Sequence, residues 1–212
     1  MFSGNVTLKS QSGIGKDPQA KKILDKLKKG YENNKSTEVT FDLVLELPGQ
    51  KTEKQQGKLI QSGKKFVALM SDQEVYSDGK YVWLYLKSQK EVQINNYDPE
   101  MKEDFVSPEQ LLRMYENGKY EYSITGEETI GNEKLTLIEF KPVEKNNQYS
   151  KIRLAVVKNG DKPNYIKVFS KDGSKYTLVI KSMVHNKTYA SDAFVFNAKK
   201  YPGVHVEDLR ID

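Results

Sequence analysis

The spacing of apolar positions along the chain changes once, from the period of a helix to the period of a strand. Asp17 is the expected N-cap of a first helix, with Pro18 at its first position and Asn33 at its end. The apolar face of this helix consists of Ile23, Leu24, Leu27 and Tyr31. The pattern therefore predicts one amphipathic helix ahead of the strands.

Beyond this helix, apolar side chains alternate with polar ones. The first predicted strand has one apolar face, made of Val39, Phe41, Leu43, Leu45 and Leu47. Turn residues such as Pro48-Gly49 and Ser77-Asp78-Gly79 bound the strands. Further strands are predicted at residues 55–61, 65–70, 74–76, 81–86, 91–95, 120–129, 133–140, 149–157, 165–170, 174–184, 194–196 and 204–209. The regular spacing of these turns favours an antiparallel arrangement.

A second helix is predicted between the two groups of strands. Ser107 as N-cap, Pro108 at the first helical position and Gln110 at the third match a capping box, and Asn117-Gly118 ends the helix. Its apolar side chains include Leu111, Leu112 and Tyr115. This helix, like the first, is amphipathic and suited to cover a sheet.

We expect residues 1–16 to form a flexible leader and residues 17–212 to form a single, mainly β domain. Two short helices cannot cover the apolar faces of so many strands. The sheet must therefore close as a barrel, pack as a sandwich, or curve around a space that helices cover and a ligand fills. The residue pattern alone leaves both a packed core and a ligand cavity open.

The composition is typical of a soluble globular protein, with 37% hydrophobic and 30% charged residues and a mean hydropathy of −0.71. The lysines that give a net charge of +5 are spread along the chain, which indicates a solvated surface and no nucleic-acid partner. No apolar signal segment opens the sequence, so the chain is either cytosolic or a processed form of an exported protein. The lack of cysteine is compatible with both.

No catalytic or metal-binding pattern is recognisable in the sequence. The two histidines, His185 and His205, are far apart and have no companion ligands at metal-site spacing. Nucleophile-elbow, Walker and dinucleotide glycine motifs are absent. We therefore expect a protein that is not an enzyme and that needs no metal or cofactor.

Several segments, taken in order, resemble the LolA family of periplasmic lipoprotein carriers. The opening helix and strand, DPQAKKILDKLKKGYENN and STEVTFDLVLELPG, are similar to the start of that family. The most specific segment is EVYSDGKYVWLYLKSQKEVQI, which combines a Ser-Asp-Gly-Lys turn with a Trp-x-Tyr strand. Other matching segments are QGKLIQSGKKFVALM, SPEQLLRMYENG, FSKDGSKYTLVI and FVFNAKKYPGVHVEDLR. The resemblance covers about residues 17–210.

This resemblance implies an unclosed antiparallel β-barrel of about 10–11 strands, covered by two or three helices. It also implies a monomeric periplasmic protein whose signal peptide has been removed. Its cargo would be the acyl chains of lipoproteins. It would receive them from an inner-membrane lipoprotein-releasing transporter and deliver them to an outer-membrane acceptor.

The resemblance also suggests which side chains contact the acyl chains. The first lid would contribute Leu24, Leu27 and Tyr31, and the second would contribute Leu111, Leu112 and Tyr115. The inner face of the first strand would contribute Phe41, Leu43 and Leu45, with Trp83 as a further candidate. For each of them, ordinary core packing is the alternative.

One position departs from the family pattern. The turn after the Gly-x-Leu strand carries a functional Arg in well-studied carriers, but here it holds Gly63, followed by Lys64 and Lys65. The departure leaves open a second function on the same scaffold. The chain could be a lipid- or glycolipid-binding or envelope-sensing module that does not transport its ligand.

Overall fold

The computed structural model describes residues 6–8, 15–97, 114–158 and 162–210. Within these ranges there is one α-helix, α1 (Pro18–Glu32), and there are two short 3₁₀ helices, Ser191–Phe194 and Ala198–Lys200. The strands are β1 (Val6–Leu8), β2 (Thr37–Glu46), β3 (Glu53–Ser62), β4 (Lys65–Leu69), β5 (Gln73–Ser77), β6 (Tyr81–Leu86), β7 (Glu91–Asn96), β8 (Tyr120–Ile130), β9 (Glu133–Pro142), β10 (Tyr149–Val157), β11 (Pro163–Ser170), β12 (Lys175–His185) and β13 (His205–Asp208).

Helix α1 begins where the sequence predicts. The Asp17 carboxylate accepts hydrogen bonds from the backbone N–H groups of Gln19 at 2.8 Å and Ala20 at 3.3 Å, which satisfies donors that the first turn leaves without partners. Its second oxygen accepts from the N–H of Ile124 on β8 at 3.0 Å. One side chain therefore both caps the helix and ties its start to the sheet.

The strands form a single unclosed sheet in the order β1-β8-β9-β10-β11-β12-β2-β3-β4-β5-β6-β7-β13. This confirms a mainly β fold with an unclosed sheet. The described residues contain thirteen strands where about 10–11 were expected. The pairing of β13 with β7 is parallel, which differs from the antiparallel pattern expected throughout.

Two expectations about individual elements need correction. Two or three helices were expected, and the described residues contain one α-helix; most of the predicted second helix, including Leu111 and Leu112, lies outside them. The strand predicted at residues 194–196 is wrong. Phe194 and Phe196 are buried and Val195 is 36% exposed, but Phe194 ends a 3₁₀ helix and this stretch pairs with no strand. The segment packs on the sheet with Phe194 and Phe196 inward and Val195 outward, and this alternation has the same period as a strand.

Part of the predicted flexible leader pairs with the sheet. Val6, Thr7 and Leu8 form β1, antiparallel to β8 opposite Glu128 to Gly126. The backbone of Lys16 also bridges to Tyr122 of β8. The extent of the domain remains a prediction.

The chain divides into two compact units, and the first comprises Met1–Asn33, Asp42–Lys54 and Phe105–Ile180. Its main core lies between α1 and one face of β8 to β12. Buried side chains of this core on the sheet include Tyr122, Phe140, Ile152, Leu154 and Ile166. Burying one such side chain stabilises the fold by about 1.5–3 kcal/mol.

The second unit comprises Asn34–Phe41, Gln55–Asp104 and Lys181–Asp212. On one face of its sheet, the segment after β12 packs against β5, β6 and β7. This core contains Tyr85, Val92 and Phe196, with Tyr76, Trp83, Tyr201 and Val204 packed against it. The segment therefore replaces a helix as the cover of this face.

A close approach between strands β2 and β3 requires a glycine in the second unit. The ring of Phe41 lies over Gly57, and a Cβ atom at Gly57 would lie 2.4 Å from its Cζ atom. Phe41 is 3% exposed, so its ring has little room to move away. The glycine therefore allows a large aromatic side chain to lie close against the backbone of the neighbouring strand.

We predict that Gly57→Ala lowers the free energy of unfolding by about 1–3 kcal/mol, because the added methyl group overlaps a buried ring. Urea unfolding followed by circular dichroism measures the change. Gly30→Ala in α1 is the control, because a Cβ atom there meets nothing within 4 Å. It should raise stability by up to about 1 kcal/mol. A Gly57→Ala variant as stable as the wild type would contradict the packing described.

Candidate functional site

Four of the predicted site residues come together in the core of the first unit. Leu24 is fully buried on α1, and Leu27 and Tyr115 are 5% and 3% exposed. Tyr31 is half-buried and packs against the same cluster. The residues expected on two separate lids thus share one apolar core.

The other predicted residues lie elsewhere. Phe41 is buried on β2 in the second unit, and Leu43 and Leu45 are half-buried further along β2. Trp83 is half-buried on β6 and packs with the aromatic core of the second unit. Leu111 and Leu112 lie outside the described residues.

Helix α1 is tied to the residues just ahead of β8 by polar contacts as well as by packing. The Tyr115 hydroxyl donates to Asp25 at 2.7 Å, and Lys28 forms an ion pair with Glu116 at 2.6 Å. Within α1, Lys21 also donates to Asp25, at 2.8 Å. We call the contacts that Tyr115 and Glu116 make with α1 the α1 tether. They hold the exposed side of the helix to a neighbouring segment.

The protonation states suit this tether at neutral pH. The hydrogen bonds from Lys21 and Tyr115 hold the pKa of Asp25 below its usual value. Burial raises the pKa of Tyr115, and the hydrogen bond to Asp25 raises it further. The tether therefore joins an ionised carboxylate to a protonated phenol, a strong type of hydrogen bond.

An apolar row crosses four strands of the second unit. Leu59 of β3 lies opposite Ala68 of β4, Ala68 opposite Val75 of β5, and Val75 opposite Leu84 of β6. Directly opposed residues of an antiparallel pair point to the same face. Leu59 is 7% exposed and the other three are half-buried. We call these four residues the apolar row.

The neighbouring row extends the same surface. Phe66, Ser77 and Val82 lie opposite one another on β4, β5 and β6. Ser77 is fully buried, and its hydroxyl donates to the carbonyl of Tyr81 at 2.9 Å. Because its polar atom is satisfied within its own turn, Ser77 does not interrupt the apolar surface.

Trp83 lies on the opposite face of β6 from Leu84, since successive side chains of a strand alternate. It sits directly across from Tyr76, on the face covered by Phe196 and Tyr201. Sequence reasoning therefore missed the apolar row. Residues 81–86 are apolar on both faces of their strand, which indicates an apolar surface on each side. The pattern does not show which of the two faces another part of the chain covers.

The covering segment is held by a half-buried carboxylate, that of Glu74. Glu74 accepts hydrogen bonds from the hydroxyls of Tyr201 at 2.6 Å and Tyr76 at 2.7 Å, and it pairs with Lys87 at 3.1 Å. Burial raises the pKa of Glu74, but these three partners outweigh burial and leave the pKa below its usual value. Phe196 stacks on Tyr201 with ring centroids 4.8 Å apart.

The turn that departs from the family pattern has a local explanation. Gly63 joins β3 to β4 with a φ of 59°, in the left-handed region that favours glycine. Arginine at this position would be strained. The backbone of this turn therefore accounts for Gly63.

The described residues contain no group of three His, Asp or Glu side chains placed to bind a metal ion. None of the helices in the described ranges has the length and apolar character needed to cross a membrane. The four side chains of the apolar row offer apolar contacts, which are non-directional. Such contacts suit a ligand of variable shape.

A sequence profile described as "Outer membrane lipoprotein carrier protein LolA" matches residues 32–197, more than half of the chain. The chain belongs to the LolA family. This confirms the resemblance inferred from the ordered segments. No curated protein matches the chain.

Solved structures similar to this LolA-family chain have low sequence identity. An uncharacterized conserved protein from Thermus thermophilus is 11% identical, with a TM-score of 0.59 over 91% of this chain and 99% of that one. LprF from Mycobacterium bovis is 12% identical, with a TM-score of 0.48 over 84% and 98%. A LolA superfamily protein from Nitrosomonas europaea is 14% identical, with a TM-score of 0.44 over 84% and 97%. The Thermus structure supports the fold alone.

We predict that Glu74→Gln lowers the free energy of unfolding at neutral pH by about 1–3 kcal/mol, because neutral hydrogen bonds replace charge-assisted ones. A pKa that is lowered in the folded state stabilises it above the ordinary value of 4.5 and ceases to do so as the pH falls through the folded pKa. The difference between variant and wild type should therefore shrink in acid.

Urea unfolding followed by the fluorescence of Trp83, the chain's single tryptophan, measures both effects. Glu121→Gln, an exposed change of the same kind on β8, should leave the stability at neutral pH within about 0.5 kcal/mol of wild type. A Glu74→Gln deficit that stayed constant down to strong acid would show that the carboxylate charge is not its cause.

Proposed function

We propose that this LolA-family protein shelters the acyl chains of lipoproteins and carries them across the periplasm to the outer membrane. The observation that carries the proposal is the apolar row, a line of mostly half-buried aliphatic side chains across four neighbouring strands. Membership of the family supports the choice of cargo. The protein acts as a monomer, without a cofactor and without catalysis.

The size of the hydrophobic effect favours a sheltered route. Each methylene moved out of water is worth about 0.8 kcal/mol, so one acyl chain represents on the order of 10 kcal/mol. A free lipoprotein would therefore insert into the nearest membrane or aggregate. Aliphatic contacts from Leu59, Val75 and Leu84 offset the free energy of exposing an acyl chain to water. They do so without requiring one fixed conformation of the chain.

Release is compatible with the same contacts. Apolar contacts have no preferred direction, so an acceptor with slightly higher affinity can take the cargo over. The inner-membrane transporter that loads the protein and the outer-membrane acceptor that unloads it are part of this proposal. No covalent step is needed at either end.

The predicted site residues divide into two roles in this proposal. Phe41 of β2 is proposed as a further acyl-chain contact of the second unit, and Leu43 and Leu45 are proposed as acyl-chain contacts further along β2. Residues of the first unit's core act through the lid, because α1 hides an apolar surface that its movement would expose; these are Leu24, Leu27, Tyr31 and Tyr115. Leu111 and Leu112 are proposed for the second lid, and Trp83 supports the sheet from its other face.

A second candidate is a lipid-binding or envelope-sensing module that does not transport its ligand. The resemblance places Gly63 where the family has a functional Arg, and this departure favours the second candidate. Depletion in cells separates the two functions. Loss of a carrier should strand lipoproteins at the inner membrane, whereas loss of a sensor should leave their distribution unchanged.

We predict that the protein, mixed with a triacylated lipoprotein in detergent and freed of it, forms a soluble 1:1 complex visible by native mass spectrometry. Leu84→Glu should weaken this complex at least about tenfold, because a buried charge costs well over 1.4 kcal/mol. The milder Leu84→Gln should weaken it less.

Val206→Glu is the matched control, since Val206 is 46% exposed on β13. It should leave the complex intact. Thermal unfolding of each variant identifies any loss caused by misfolding. If folded Leu84→Glu protein bound the lipoprotein as the wild type does, the apolar row would not be the acyl-chain site.

We also predict that Tyr115→Phe loosens α1 without unfolding the protein, because it removes the hydroxyl that holds Asp25 while keeping the buried ring. Amide hydrogen exchange in α1 should rise about fivefold to tenfold, corresponding to about 1–1.5 kcal/mol for one charge-assisted hydrogen bond. A bound fatty-acid probe should dissociate faster.

Tyr176→Phe tests whether loss of any tyrosine hydroxyl has this effect. Tyr176 packs against the same core from β12 and not from the tether. Its exchange and dissociation rates should match those of the wild type. If amide hydrogen exchange in α1 of Tyr115→Phe became faster while the probe dissociated at the wild-type rate, α1 would not act as a lid.

A further inference from the structure

One end of the second unit's sheet collects the strand termini and turns that carry basic residues. The β3–β4 turn and the β5–β6 turn meet there, since a Cβ atom at Gly79 would lie 3.1 Å from the Cβ of Lys64. Lys35, ahead of β2, accepts a hydrogen bond at its carbonyl from Ser62 at the end of β3. The N–H of Asn186, after β12, donates to the carbonyl of Ser36 at 2.9 Å.

The side chains at this end are mainly cationic and exposed. Among the described residues the cations are Lys35, Lys64, Lys65, Lys80, Lys187 and Arg210, and the carboxylates are Glu38, Asp78 and Asp208. Of these cations, all but Lys65 belong to exposed residues. We call the six cations the basic end.

The carboxylates offset only part of this charge. Glu38 pairs with Lys187 at 3.0 Å, and Asp208 pairs with Arg210. Asp78 accepts hydrogen bonds from backbone N–H groups of its own turn. Six cations against three carboxylates leave an excess of positive charge among the described residues at this end, and this excess dominates the potential in the adjacent solvent.

The two turns at the opposite end of the same strands differ from those at the basic end. The β4–β5 and β6–β7 turns carry Lys87 and Lys90, and Asp72, Glu74 and Glu91 lie beside them. Lys87 is itself paired with Glu74 at 3.1 Å. These two turns therefore carry no excess of positive charge, unlike the β3–β4 and β5–β6 turns.

A tyrosine sits among the cations at the basic end. The ring of Tyr81 lies 4.8 Å from the Lys80 ammonium and 4.7 Å from the Arg210 guanidinium, measured to the ring centroid. Tyrosine with neighbouring basic residues is the combination enriched where proteins meet the headgroup region of a bilayer. Val82, the next residue, belongs to the surface that extends the apolar row.

We propose that the basic end docks this protein on the surface of an anionic phospholipid bilayer. Lysines near such a surface attract the protein by about 1 kcal/mol each, so several give reversible adhesion and no insertion. In this orientation one end of the second unit's strands contacts the lipid headgroups, and the apolar row lies next to that end. Docking goes beyond the carrier function and needs no bound cargo.

A nucleic acid is the less favoured partner for the same charges. Single-stranded binding sites line a groove with stacking aromatic side chains, and duplex sites need a recognition element. The ring of Tyr81, the aromatic side chain that contacts these cations, is already covered by Lys80 and Arg210 and is not free to stack on a base. The bilayer remains the better match.

The test is co-sedimentation of the full chain with vesicles of phosphatidylcholine alone or mixed with phosphatidylglycerol. The wild type should bind only the anionic vesicles, and binding should fall as salt rises. Lys64→Glu/Lys80→Glu should weaken binding at least about 25-fold, about fivefold for each lost lysine.

Lys51→Glu/Lys90→Glu is the matched control, with the same change of net charge at exposed positions outside the basic end. It should bind nearly as well as the wild type. Equal loss in both double variants would mean that net charge alone attracts the protein, and would overturn the proposal. Binding to duplex DNA but not to vesicles would overturn it in favour of a nucleic-acid partner.

Vesicle binding and lipoprotein binding, measured on one variant, distinguish a failure of membrane docking from a failure of the carrier function. Lipoprotein binding is measured on the same Lys64→Glu/Lys80→Glu protein, whose apolar row is unchanged. Lost vesicle binding with retained lipoprotein binding supports both proposals. Retained vesicle binding overturns docking alone, whatever the lipoprotein result.

Discussion

A sheet that is apolar on both faces needs a partner for each face, and this constraint governs the molecule. The chain has thirteen described strands but a single described α-helix, so secondary structure alone cannot supply the covers. The first unit uses α1, and the second uses the irregular segment that carries Phe196 and Tyr201. The apolar row is left mostly half-buried, and for this reason we propose it as the ligand site.

Each of these two covering segments is held by a carboxylate that accepts hydrogen bonds from tyrosine hydroxyls. Asp25 holds Tyr115 in the first unit, and Glu74 holds Tyr76 and Tyr201 in the second. Such bonds are strong enough to keep a cover closed, yet each is a small part of the folding free energy.

Charge and apolarity are separated in the second unit, although neither is unusual in amount. The lysines that give a modest net charge of +5 look evenly spread along the chain, but antiparallel pairing brings several of them to one end of the sheet. The same pairing aligns Leu59, Ala68, Val75 and Leu84. The combination suits contact with an amphiphile, which is apolar along its chains and anionic at its head.

The sequence by itself determined the local elements. Asp17 and Pro18 specify the start of α1, and residues 81–86 and 149–157 form strands with the predicted bounds, because capping and alternation act over a few residues. The family could also be recognised, since its ordered segments are contiguous in sequence. Only the tertiary structure decided which parity of a strand is covered, so it placed Trp83 under the C-terminal segment and left Leu84 in the apolar row. It also joined Tyr115 to Asp25, 90 residues apart, because register and packing between distant segments depend on the whole sheet and leave no local pattern.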